Sequence, residues 1–164
     1  MVNAEIEKLK AIPLFAQIKD DPKSMELLAD ICKPRRYKSG DEIIKEGNTG
    51  DEMFIVMSGG VEIFKRTRAG DNYTVVRLMA EHNVFIGELA LIDDDTRSAT
   101  VVASCDSDFL VIQKKDFLAL GNDHPNIGLP ITRAIAKILS GRLRKTTQDM
   151  LTLFDALVGE IQGE

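Results

Sequence analysis

The sequence predicts a mainly β domain, a sandwich or small barrel with helices before and after it. From Tyr37 to about Gln113, short apolar runs alternate with turn clusters at close to one turn signal per ten residues, roughly the rhythm of such folds. On either side of this stretch the apolar residues return at helical spacing. A length of 164 residues, 44% hydrophobic and 29% charged, suits one such domain. Its core would bury roughly 70% of the surface of the unfolded chain.

The first 37 residues read as short helices. Ile6, Leu9 and Lys10 precede Ile12-Pro13-Leu14-Phe15, and Met25, Leu27, Leu28, Ile31 and Cys32 follow Asp21-Pro22 at helical intervals, with Pro13 and Pro34 marking helix ends. Strands are expected over 42–44, 53–56, 61–66, 74–79, 100–103 and 109–112, separated by turn clusters such as 46–51 and 69–72. Gly87-Glu88-Leu89-Ala90-Leu91-Ile92 interrupts them with good helix formers after a glycine, which predicts one helical turn set into the barrel. Helix then resumes over 114–120, stopped by Gly121, and over about 130–158.

The last run carries two apolar faces. Ile131, Ile135 and Ile138 form a stripe suited to packing on the barrel, whereas Leu139, Leu143, Met150, Leu153 and Leu157 follow coiled-coil spacing, with Thr146 in one slot. Two arrangements fit: an amphipathic helix folded back on its own domain, or a homodimer joined along this helix. Gly141 divides the stripes and is a candidate bend.

Composition removes several classes of function. The formal net charge is -5, so no overall field draws the chain to nucleic acid or to an anionic membrane. The basic cluster Arg133, Lys137, Arg142, Arg144 and Lys145 reads as a solvated helix face in so acidic a chain. Two cysteines, Cys32 and Cys105, and two histidines, His82 and His124, cannot supply a disulfide framework or an ordinary zinc site. No nucleophile elbow or cluster of imidazoles and carboxylates is present, so no catalytic residue, catalytic cofactor or metal ligand is assigned. With no signal-peptide core at the N-terminus and no apolar run long enough to cross a bilayer, the expectation is a cytoplasmic protein.

The informative segment runs from Phe85 to Thr100. Gly87 lets a backbone or ligand approach closely and opens a turn whose free N–H groups suit an anion. Glu88 can accept from a sugar hydroxyl. Arg97 offers a planar, permanently charged fork that matches phosphate oxygens, with Ser98 and the N–H of Ala99 beside it. Taken singly, Glu88 and Arg97 would more often form a surface ion pair worth at most about 1 kcal/mol, and Asp93 to Asp95 a solvated loop. In combination they suit a small phosphorylated ligand.

This segment resembles the phosphate-binding cassette of the cyclic nucleotide-binding domain family, of the kinase A regulatory subunit and catabolite activator protein type. Tyr37-x-x-Gly40-Asp41-x-Ile43-Ile44-x-Glu46-Gly47 and Asp51-x-Met53-Phe54-Ile55-Val56-x-x-Gly59-x-Val61-x-Ile63 resemble its first hairpins, and His124-Pro125 precedes the last helix as in the family. The likeness covers about residues 5 to 145 and implies a jelly-roll β-barrel with N-terminal helices and a long C-terminal helix, in a stand-alone, bacterial-type member. Residues 1–125 would hold the barrel, and 126–160 a lid and dimerisation helix of the same domain.

The resemblance also implies roles. Arg97 would pair with the cyclic phosphate, N–H groups near Leu89, Ala90 and Ala99 would hold the same anion, and Glu88 would bind the ribose 2′-hydroxyl. Gly87 and Ser98 complete the cassette. Val76 and Leu78 are the candidates for the wall behind the base, with Arg142, Leu143 or Arg144 as its cover, Arg144 being the residue carried forward. Asn83 stands where many members have Gly, and Asn tolerates the same left-handed turn. Ser98 favours cAMP over cGMP. The expected protein is a non-enzymatic cyclic nucleotide receptor that repositions its C-terminal helices, possesses an effector protein still to be identified, and contacts no membrane. Only six residues follow Val158, so no helix-turn-helix for DNA is expected after the long helix. The alternative is a dimeric assembly module with a vestigial nucleotide site.

Overall fold

The computed structural model describes residues 2–66 and 72–162, with side chains over 4–65 and 76–159. Of the turn expected at 69–72, residues 69–71 lie outside the described residues and Asn72 opens a strand. Helix α1 (Val2–Ala11), a 3-10 turn (Pro13–Phe15) and α2 (Pro22–Asp30) lead into strands β1 (Cys32–Tyr37), β2 (Glu42–Ile44), β3 (Glu52–Ser58), β4 (Gly60–Arg66) and β5 (Asn72–Met79). After a 3-10 turn (Ala80–His82) come β6 (Phe85–Ile86), the 3-10 turn Glu88–Leu91, β7 (Thr100–Ala103), β8 (Ser107–Gln113), α3 (Lys114–Asp123) and α4 (Pro125–Gln162). Two antiparallel four-stranded sheets, β1-β8-β3-β6 and β2-β7-β4-β5, make the jelly roll.

Strands β3 and β8 explain why their sequences are continuously apolar. They pair Phe54 with Val111 and Ile55 with Leu110, so alternate residues leave opposite faces of one sheet, and both faces are covered. Phe54, Val56, Phe109 and Val111 meet Ile44, Val61 and Val101 of the second sheet inside the barrel. Met53, Ile55, Leu110 and Ile112 instead meet Leu9, Phe15, Leu28, Phe117, Ile131 and Ile135 in a second core beneath the helices. In the barrel, Tyr37, Phe54 and Phe109 pack edge to face, with centroids 5.5 to 6.4 Å apart.

Three expectations about elements are corrected. Residues 32–37 are a strand, and Pro34 sits inside it; β1 is at the sheet edge, where a missing N–H costs little. Gly121 does not stop α3. A Cβ on Gly128 would lie 2.5 Å from Gly121 Cα, so these glycines serve the close packing of α3 on α4. The last helix opens at Pro125, whose fixed φ suits a first turn, and continues through Pro130 and Gly141 as one element. Of its two stripes, Ile131 and Ile135 are fully buried, whereas Leu143, Met150, Leu153 and Leu157 are exposed. Among the described residues no helix is long and apolar enough to cross a membrane.

Candidate ligand-binding site

The site begins where β6 ends. Gly87 takes a left-handed backbone (φ 74°, ψ 20°), a conformation that a side chain would strain, and the chain then turns through Glu88–Leu91. The turn is anchored from below, because Leu91 is fully buried in the helical core. Upstream, Asn83 adopts the left-handed turn (φ 52°), and Lys8 of α1 donates to Ala80 O at 2.5 Å and to Asn83 Oδ1 at 3.2 Å. Burial draws the Lys8 ammonium below its ordinary range. The acidic loop after the turn is tied by Lys114, whose Nζ donates to Asp93 O at 2.7 Å and to the Asp94 carboxylate at 2.6 Å.

Arg97 is held by main chain on all sides. Its N–H donates to Asn48 O at 2.8 Å, and its carbonyl accepts from Gly47 N–H at 2.9 Å. Its guanidinium donates to Glu52 O at 2.6 Å and to Gly87 O at 3.2 Å. Burial pushes the Arg97 guanidinium below its ordinary pKa, with Glu52, Asp51, Glu88 and Asp93 pulling the other way. It stays a cation with no carboxylate hydrogen-bonded to it among the described residues, so part of its fork is available to an anion.

Arg97 opens onto a cavity of about 520 Å³. Of the residues singled out in the sequence, Gly87, Glu88, Leu89, Ala90, Arg97, Ser98, Ala99 and Leu78 line it together. Val76 does not, and is exposed on β5. Arg144 is exposed and outside the lining, and Leu143 is 69% exposed. Arg142 reaches the cavity instead. Residues 142 and 144 are about 200° apart around a helix, so only one of them can face it.

Glu88 is 3% exposed. Arg142 Nη1 stands 2.6 Å from its Oε1, an ion pair by distance but not by hydrogen-bond angle, so Oε1 has no hydrogen-bond partner among the described residues. An acceptor this buried and this incompletely satisfied suits a hydroxyl donor. Sequence spacing concealed the pairing, since 54 positions separate the two residues. The apolar wall was also only partly legible: Ile63 and Val101, paired between β4 and β7, line the cavity beside Leu78.

Residues 34–124 match the model of a family described as "Cyclic nucleotide-binding domain". The chain is 30% identical over 142 residues to the "Cyclic AMP receptor protein" of Thermus thermophilus, a match covering 87% of this chain and 62% of that protein. It is 37% identical over 98 residues to the "cAMP-dependent protein kinase regulatory subunit" of Aspergillus fumigatus, covering 60% of this chain and 22% of that one. The solved catabolite activator protein of Thermus thermophilus superposes with a TM-score of 0.75 at 29% identity, over 86% of this chain and 62% of that one. The chain therefore spans about three fifths of the first relative and about a fifth of the second.

Proposed function

Because the chain belongs to the cyclic nucleotide-binding domain family, we propose that it is a regulatory receptor for a cyclic nucleotide, cAMP in preference to cGMP, with no catalytic activity of its own. One observation carries this reading: a single cavity is lined by the Arg97 guanidinium and the cassette backbone, by the buried Glu88 and by apolar Ile63, Leu78 and Val101. Those three kinds of lining suit the phosphate, the ribose and the base of a cyclic nucleotide. Arg97 pairs with the phosphate oxygens, the N–H groups of Ala90 and Ala99 lie beside the same anion, and Glu88 accepts from the ribose hydroxyl. The base rests on the apolar wall.

The output runs through α4. A nucleotide that claims Glu88 changes what Arg142 can pair with, and the ligand shifts the position of the helix by no more than its differential affinity for the two arrangements. The signal passes to an effector protein in the cytoplasm, and a net charge of -5 argues against DNA contact by this chain itself. Calorimetric titration with cAMP and cGMP tests the reading. Arg97→Ala is expected to weaken cAMP binding by about 3 kcal/mol, roughly a hundredfold, because a buried phosphate loses its paired charge. Unchanged affinity in that variant removes the site.

A second reading, an assembly module with a vestigial site, is favoured by the exposed seam Leu143, Met150, Leu153 and Leu157. A ligand-independent dimer that binds no nucleotide would select it.

A further inference from the structure

The loop between β2 and β3 does more than reverse the chain. Its residues Gly47 and Asn48 grip the Arg97 main chain from both sides, and Thr49 forms an isolated bridge with Thr96, so 47–49 and 96–97 run side by side. The next residue is Gly50. Its backbone is not left-handed, so no turn requires glycine there. What requires it is the guanidinium of Arg97 lying flat against it. A Cβ added to Gly50 would be 2.6 Å from Nη2 and 2.7 Å from Cζ, and would also meet Nε. Two residues on, Glu52 supplies the carbonyl that accepts from Nη2 at 2.6 Å.

We propose that Gly50 is a positioning residue: it is the floor that lets the Arg97 guanidinium seat on the carbonyls of Glu52 and Gly87 with its fork toward the cavity. The seat itself is read from the geometry, whereas its effect on ligand rests on the nucleotide site proposed above. The obstructed atoms are the far end of a flexible side chain. A methyl group at position 50 therefore displaces the fork with little cost to the fold, and the loss appears in binding.

The test is a cycle of wild type, Gly50→Ala, Arg97→Ala and the double variant. In the ligand-free proteins, phenylglyoxal modification of Arg97, read by mass spectrometry, is expected to rise at least threefold in Gly50→Ala. Its dissociation constant for cAMP is expected to rise about tenfold. In the Arg97→Ala background, where nothing remains to collide with, Gly50→Ala is expected to leave the melting temperature unchanged. Arg97 labelled at the wild-type rate in Gly50→Ala overturns the inference, as does a melting loss of equal size with and without Arg97. Should Gly50→Ala fail to fold, a double variant that melts like Arg97→Ala supports the inference and one that also fails overturns it. A wild type that binds neither cAMP nor cGMP overturns the nucleotide site instead, and labelling and melting still decide the role of Gly50.

Discussion

Arg142 joins a carboxylate that is 4% exposed to a guanidinium that is 57% exposed, at 2.6 Å between Nη1 and Glu88 Oε1. A pair so placed is half in water. Its Coulomb attraction is screened on the Arg142 side, so the contact ties the cassette to α4 and adds little to global stability. Chemical denaturation of wild type, Glu88→Gln, Arg142→Ala and the double variant should give a coupling of about 0.5 to 1 kcal/mol. Additive single-variant effects would show that the two residues do not communicate.

The acid limb of the stability curve is expected to depend on Glu52. Two hydrogen bonds from Arg35, each 2.7 Å, hold the Glu52 carboxyl below the usual 4.5, with burial opposing them. The folded state thus keeps Glu52 ionised at pH values where the unfolded chain takes up a proton. The stabilisation is fully present above the unfolded value and is lost as pH falls through the folded one. Thermal melts should show Glu52→Gln less stable than wild type at pH 7, with the gap closing as the pH falls below the usual carboxylate range. A gap of constant size would assign the effect to packing.

Phe109→Ala should cost about 3 to 5 kcal/mol in urea unfolding. The ring is 1% exposed and meets both Tyr37 and Phe54 edge to face, so its removal leaves a void that the two neighbours cannot fill without giving up their own contacts. A loss under about 1 kcal/mol would mean that the barrel interior collapses freely around the gap.

The exposed seam of α4 is expected to mediate self-association. Leu143 and Leu153 are 69% and 66% exposed, so replacing both by Glu should leave the melting temperature of the monomer nearly unchanged while lowering the sedimenting mass from dimer to monomer. Wild type that sediments as a monomer at all concentrations would remove the seam as an interface.

The parts legible in the sequence were those set by local chemistry. Strands β2 and β7 fall where short apolar runs between turn clusters put them, and the turn after Gly87 follows from a glycine ahead of helix formers. Strand β1 was not legible, because Cys-Lys-Pro-Arg-Arg-Tyr has no apolar period and owes its conformation to pairing with β8, 70 or more residues away. Strand β6 is two residues long, too short for any pattern. Within the site, the cassette residues were visible as a motif. Gly50 was not, and Arg142 was only one of three candidate covers, since the role of each depends on a partner brought close only by the fold.

Strand β3 has no spare side. Because Met53 and Ile55 face the helices while Phe54 and Val56 face the barrel, a slip of one residue would exchange the contents of both cores at once. The wall they share couples the fate of the two compartments: neither can loosen while the other stays intact, and the barrel and its helical jacket should melt as one cooperative unit.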